Sequence, residues 1–269
     1  MKRLLLFIVL TVSTLPQMMA AEIKAFGVGE KLYYRMHWKN ITGAYAMVEV
    51  KERKTTDGRD SFHFQAKMTS NNTLVDSFFK IRDKIDCWWD IERRQPLRSH
   101  FNIHEGYYFR KLKVRYDFPT KKAHYDLKEF KGNTSERGVR NKDAKWEQEK
   151  GSYDIPADFQ DVVSSFFLMR SYEKNGTPGQ KFSLKVFTDK KMNVLDMTIL
   201  KRETVKVASG TYKAIKVQPY IAGNKFFESY GKVYIWVSDD QYRYPVKIAA
   251  VIPYVGTISG ELVKVVKGK

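Results

Sequence analysis

Tyr108-Phe109-Arg110-Lys111-Leu112-Lys113-Val114-Arg115-Tyr116-Asp117-Phe118 alternates in character from Lys111 onward. Leu112, Val114, Tyr116 and Phe118 form an apolar set, and Lys111, Lys113, Arg115 and Asp117 form the charged one. Neighbouring side chains of a strand point to opposite faces, so this pattern predicts a strand with one buried and one wet face. Strands of that kind belong to antiparallel sheets, because parallel sheets are covered on both sides. Phe62–Thr69 repeats the pattern, with Phe62, Phe64, Ala66 and Met68 opposed to His63, Gln65, Lys67 and Thr69. Similar runs fall near Leu32–Trp38, Ala44–Val50, Ile85–Ile91, Phe182–Thr188, Val194–Leu200, Thr204–Ala208, Tyr212–Gln218, Lys232–Val237, Val246–Ile252 and Thr257–Val265. Turn-forming pairs such as Asp57-Gly58 and Ser209-Gly210 separate many of them. The chain reads as β-dominated.

Asp158–Glu173 breaks the pattern. It contains no Gly or Pro, follows Pro156, and starts on a residue able to cap a helix. At about 100° per residue, Phe159, Val162, Val163, Phe166, Phe167 and Met169 share a broad face, while Gln160, Asp161, Ser164 and Ser165 lie opposite. The segment therefore predicts an amphipathic helix packed against the apolar side of the sheet. Arg170 falls inside the apolar arc, where a guanidinium requires a carboxylate partner. Asp83, Glu105 and Asp240 are the candidate acids for a structural ion pair between helix and sheet.

The 269 residues hold one cysteine, 43% hydrophobic residues and a formal net charge of +18. Enough apolar material is present for a core, which argues against disorder. A lone Cys87 excludes an internal disulfide scaffold, and its alternation with Ile85, Trp89 and Ile91 reads as a core thiol. Lys2 and Arg3 precede the apolar run Leu4–Val12, and Ala20 and Ala21 follow. Residues 1–21 thus have the form of a secretory signal peptide, leaving 22–269 as a single β-rich domain in an exported, soluble, most plainly periplasmic protein. No later stretch is long and apolar enough to predict a transmembrane span. Residues 131–157 are the least patterned and read as a long polar connection.

Catalytic motifs are missing: the chain has no H-E-x-x-H, no G-x-S-x-G, no P-loop and no EF-hand loop. Gly27-Val28-Gly29 lacks the third glycine of a nucleotide fingerprint and reads as a turn. His100 and His104, four apart in a strand, would stand about 13 Å from one another, too far to share a metal alone. Asp239-Asp240 reads as a strand-ending turn rather than a cation or proton site. No cofactor and no metal are assigned, and a binding protein is favoured over an enzyme. Paired aromatics at Trp88-Trp89, Tyr107-Tyr108-Phe109, Phe226-Phe227 and Tyr242 with Tyr244 suit either a core or an apolar site with a wet rim. Trp88, Trp89, Tyr108, Phe167 and Trp236 are the candidate ligand-binding residues. Tyr107–Lys150 carries 13 Lys and Arg against 7 Asp and Glu, which favours anionic partners. Export makes nucleic acid an unexpected partner and points instead to lipid head groups, envelope glycans or envelope proteins.

Several stretches resemble a family of exported bacterial proteins known as domain of unknown function 3108. They are Phe26-Gly27-Val28-Gly29-Glu30 with Leu32 and Tyr33, Ser77 through Asp83, Glu105-Gly106, Asp161 through Arg170, Gly210-Thr211-Tyr212, and Trp236 through Asp240 with Arg243, Pro245 and Val246. The resemblance implies an exported β-rich protein and carries no established activity or catalytic residue. More loosely, a curved sheet around a helix is similar to periplasmic lipoprotein carriers, at the level of fold alone.

The expected architecture is a large, curved, half-barrel-like antiparallel sheet packed around one amphipathic helix. The expected function is non-enzymatic binding of an apolar or anionic amphipathic ligand, such as a lipid, between sheet and helix. An interaction module for envelope assembly or polysaccharide handling is the alternative.

Overall fold

Among the described residues, strands pair into one fourteen-stranded antiparallel sheet. The computed structural model describes residues 23–39, 41–70, 76, 80–132, 142–171, 176–188, 191–222, 232–254 and 256–269. The expected leader at 1–21, the Phe226-Phe227 pair and the last two residues of the expected helix, 172–173, lie outside the described residues. The first half comprises β1 (Lys31–Trp38), β2 (Ile41–Thr56), β3 (Arg59–Ser70), β4 (Arg82–Asp90), β5 (Gln95–Glu105), β6 (Tyr108–Asp117), β7 (Lys122–Lys131) and β8 (Trp146–Asp154). Helix α1 (Val162–Ser171) follows. The second half comprises β9 (Lys181–Thr188), β10 (Lys191–Val207), β11 (Gly210–Ile221), β12 (Lys232–Ser238), β13 (Pro245–Ile252) and β14 (Gly256–Val266).

The order in the sheet explains the shape. The chain begins in the middle at β1, meanders outward to β8 at one edge, crosses through α1 to β9 at the far edge, and meanders back to β14 beside β1. Register shifts interrupt six of the ladders, for example between Val50 and Glu52 and between Trp88 and Trp89. Such bulges bend strands and raise their twist, which curls a sheet of this width into a trough. The two edges do not pair, so the sheet stays open. The crossing segment ties them indirectly: Ile155 donates its N–H to the Lys121 carbonyl at 2.9 Å, and Gln160 forms a parallel bridge with Val186.

The alternation in β6 has the expected consequence. Leu112, Val114 and Tyr116 are buried while Lys111, Lys113 and Arg115 are exposed. The buried set packs with Ala123, Tyr125 and Leu127 of β7 and with Phe159 and Phe187 from the crossing segment and β9. A second cluster joins Phe62, Phe64, Cys87 and Trp89 to Phe26 and to Val163, Phe167 and Leu168 of α1. Fully burying rings of this size contributes on the order of 1.5–3 kcal/mol each.

Two expectations are corrected here. The polar connection read at 131–157 contains β8, whose side chains are nearly all exposed because it is an edge strand paired only to β7; only Tyr153 at its end packs against the core, so it carries no apolar alternation. The helix begins at Val162 rather than at Asp158 and is covered on more than one side, since it meets β3 and β4 as well as β9. Asp161, Ser164 and Ser165, read as its wet side, are buried, whereas Val162 is exposed. Small polar side chains that bond their own turn permit that close covering. The Ser164 N–H donates to the Asp161 carboxylate at 2.6 Å, the Asp161 N–H to the Ser164 hydroxyl at 2.8 Å, and the Ser165 hydroxyl to the Val162 carbonyl at 2.8 Å.

Candidate functional site

The two halves of the meander are fastened to α1 through Arg170. Its guanidinium is buried and donates to Glu30 at 2.6 and 3.0 Å, to the Ala25 carbonyl at 2.8 Å and to the Tyr242 carbonyl at 3.1 Å. The rings of Phe26, Phe166, Phe167 and Tyr244 surround it at 5.2–5.9 Å from their centroids, within cation–π range. The acid is therefore Glu30 rather than Asp83, Glu105 or Asp240. Asp83 and Glu105, both half-buried, hydrogen-bond one another. Burial pushes both of these carboxyls up, and Glu105 is raised further by the Asp83 charge. Asp240 caps its own turn, accepting the Tyr242 and Arg243 N–H groups at 2.9 and 3.0 Å. Glu30 ends the Phe26–Glu30 stretch, where Gly27 lies against the backbone of Gly268 and Lys269 so closely that a Cβ would collide. Gly29 has a φ of +88°, a conformation that suits glycine.

The upstream end of α1 is equally fixed. Asp161 caps the first turn and also accepts the Ser99 hydroxyl of β5. Gln160 receives the Trp89 indole N–H at 3.3 Å and donates to the Arg94 carbonyl at 2.7 Å. Phe167 stacks on Phe64 with centroids 3.6 Å apart and rings 9° from parallel. The helix is a rigid wall inside the trough.

Between that wall and β9–β13 lies a cavity of about 380 Å³. Phe182, Leu184, Ile199, Ile215, Val217 and Val237 give it an apolar floor, and Met169 of α1 and Pro245 enclose it. Lys181, Arg243 and Gln180 supply polar groups, and Arg170 forms part of the wall. A second cavity of about 440 Å³ flanks the start of α1 and shares Ser183 and Leu184 with the first; Arg93, Arg94, Lys185 and Asp158 make it more polar. Volumes of this size are those of small-molecule sites.

None of the five aromatics predicted for ligand binding lines either cavity. Trp89 and Phe167 are core residues packed with Phe64. Trp88 points to the other face, stacked on His63 at 4.6 Å. Tyr108 donates its hydroxyl to Glu129 at 2.6 Å, and burial first and that carboxylate second push the phenol up. Trp236 donates its indole N–H to Glu203 at 2.7 Å beneath the ammonium groups of Lys216 and Lys247. The cavity residues were missed because the sequence marks β9–β12 as alternating strands without saying which alternate set meets the helix. Glu30 could have been found, as the acid closing a glycine-bearing stretch.

The remaining sequence candidates have local roles. Cys87 is buried in the core, which pushes its thiol well up. His104 stacks on Phe109 at 4.2 Å, and His100 meets the edge of Trp88. Among the described residues no three His, Cys, Asp or Glu side chains are grouped to hold a metal ion.

The sequence profile of the protein family of unknown function DUF3108 matches residues 33–263. The chain belongs to the DUF3108 family. No curated protein matches it. A β-barrel-like protein of the domain of unknown function DUF1849 from Brucella abortus is similar in fold, with a TM-score of 0.50 and 10% identity over 89% of this chain and 98% of that one. A candidate lipoprotein from Parabacteroides distasonis aligns with a TM-score of 0.36 and 14% identity, covering 91% of this chain and 99% of that one. A candidate exported protein with a YmcC-like fold from Bacteroides fragilis aligns with a TM-score of 0.36 and 8% identity, at the same coverages. Within the DUF3108 family, then, this chain is an open, curved sheet wrapped on a helix. Among its described residues no helix is long and apolar enough to cross a membrane.

Proposed function

We propose that the chain is an exported, non-enzymatic protein of the periplasm that holds an apolar or anionic amphipathic ligand, lipid-like in character, in the trough beside α1. The observation that carries this reading is the cavity of about 380 Å³, with an aliphatic and phenylalanine floor and with Lys181 and Arg243 among its lining residues. An acyl portion would gain by leaving water for that floor, and the cations would hold a carboxylate or phosphate head. The buried Arg170–Glu30 pair keeps the helical wall in place, so the space does not collapse when empty. Export is supported by the charged and apolar composition of residues 1–21.

Native mass spectrometry after gentle purification tests the reading. It expects part of the protein to carry an adduct of lipid mass that organic extraction removes. A bare chain that also fails to take up added single-chain anionic lipid would contradict it.

A second reading rests on a separate observation. His104, Phe109, Phe130 and Trp146 form a row across β5 to β8, with successive centroids 4.2, 6.0 and 5.6 Å apart. Trp146 is exposed, and Lys111 and Lys128 lie on the same face of these strands. An aromatic shelf among lysines suits an acidic glycan, as polysaccharide handling would require. Titration with an acidic polysaccharide would then perturb Trp146 and lose affinity in Trp146→Ala, with ligand retention in the trough unchanged.

A further inference from the structure

The trough has an apolar lip that the ligand reading does not use. Ile41 of β2 pairs with Trp38 of β1, Trp38 with Ile258 of β14, Ile258 with Ala250 of β13, and Ala250 with Val233 of β12. Side chains directly opposite in adjacent antiparallel strands share a face. Trp38 lies two and four residues beyond Met36 and Tyr34 on β1, and Tyr34 is buried in the core, so the row belongs to the concave face. Five strands at about 4.8 Å spacing make it about 19 Å wide. It is an apolar ledge across the open end of the trough.

This ledge is exposed. Trp38 and Ile41 are 41% and 47% accessible, and Tyr254 in the β13–β14 turn is fully exposed. Residues 36–41 and 250–258 contain no acid, whereas Lys39 sits 5.2 Å from the Trp38 ring. Aromatic rings, branched aliphatics and a lysine at one edge are the composition of a membrane interface, where rings occupy the head-group level and lysine reaches anionic phosphates. A second copy meeting this lip about a twofold axis would set like patches against each other, bringing the Lys39 cations of both copies together. The formal net charge of +18 repels a second copy further and favours an anionic surface.

We propose that the β1–β2 and β13–β14 ends form a membrane-docking lip, which rests the mouth of the trough on the surface of a bilayer rich in anionic lipid. The docking contact is reversible and interfacial: a few side chains enter the head-group region, and no strand spans the bilayer. The proposal stands apart from the ligand reading, because a protein that never loads a lipid would still dock.

Tryptophan quenching on vesicles with brominated acyl chains tests it with the full chain. Residues 1–21 contain no tryptophan, so that segment gives no signal of its own. Vesicles of phosphatidylglycerol should quench part of the emission and shift it to shorter wavelength; vesicles of phosphatidylcholine should do so weakly. Trp38→Phe should abolish the quenched component. Ile41→Ser with Tyr254→Ser, both at exposed positions, should weaken partitioning by about tenfold or more while leaving the melting temperature unchanged. Quenching that persists unaltered in Trp38→Phe, or no quenching on either vesicle, would overturn the proposal. So would self-association that Trp38→Ser abolishes, which would give the lip to a second copy.

Discussion

Arg170 and Glu30 stand 140 positions apart and share two hydrogen bonds out of reach of water. Breaking a buried pair strands one charge, so Glu30→Gln is expected to cost about 3–5 kcal/mol in urea unfolding. Glu30→Gln combined with Arg170→Met should cost less than the sum of the two single changes, because it removes both charges. A different group answers to pH. Burial alone would raise the Asp86 carboxyl, but hydrogen bonds from His63, Gln65 and Lys84 hold it well below the usual carboxylate range. His63 lies between Asp86 at 2.8 Å and Glu52 at 3.1 Å, and both contacts are donated only when the imidazole carries two protons. A carboxyl lowered on folding stabilises the protein above its unfolded pKa, about 3.9, and that stabilisation disappears as pH falls through the folded value. Melting temperature should therefore decline as pH is lowered below about 4. Asp86→Asn should cost about 1–3 kcal/mol at pH 6 and flatten part of the acid decline; an unchanged acid profile would remove Asp86 from the account.

At the scale of elements, α1 owes its position to its ends more than to an apolar stripe. Asp161→Ala removes the cap and the acceptor of the Ser99 hydroxyl, and is expected to cost about 0.5–2 kcal/mol. Amide exchange at Ser164 should then speed up before the strands respond, and Asp161→Asn should restore part of the protection. Much of the fold was legible from such local rules. The alternation in β6 follows from one face being covered and the other wet, and the helix was placed against the sheet because its rings had nowhere else to go. In β3 part of the polar set read as wet is covered as well, with His63 and Gln65 buried against the Asp86 carboxylate. What escaped was set by tertiary context. β8 shows no apolar alternation because only Tyr153 near its end reaches the core, and Ser164 and Ser165 look like surface residues until strands cover them. Glu30 was not paired with Arg170 because its one signal, an acid closing a glycine-bearing stretch, does not say which distant acid the meander returns to the helix. The five aromatics predicted as a site were chosen for their chemistry, and the fold puts Trp89 and Phe167 into the core and gives Trp88 and Trp236 partners away from the cavities.

At the scale of the molecule, an open sheet this wide must fill its trough with something. Around Phe64, Trp89 and Phe167 the protein fills it with its own rings, whereas beside β9–β12 it leaves a space of about 380 Å³. The contrast between a filled half and a hollow half is the basis of the ligand reading. Val217 lies on the floor of the hollow half, and Lys181 is among the polar residues that line it. Val217→Trp should occupy the space at an overpacking cost of about 1–3 kcal/mol, and Lys181→Glu should oppose an anionic head without altering the floor. The most direct measurement is a fluorescence titration of the unmodified chain and these two variants with dansyl-labelled undecanoate, the melting temperature of each being recorded alongside. The account predicts one saturable site with blue-shifted emission in the unmodified chain, at least tenfold weaker in folded Val217→Trp and measurably weaker in Lys181→Glu. Equal binding by all three proteins, or no saturable binding by any of them, would contradict it.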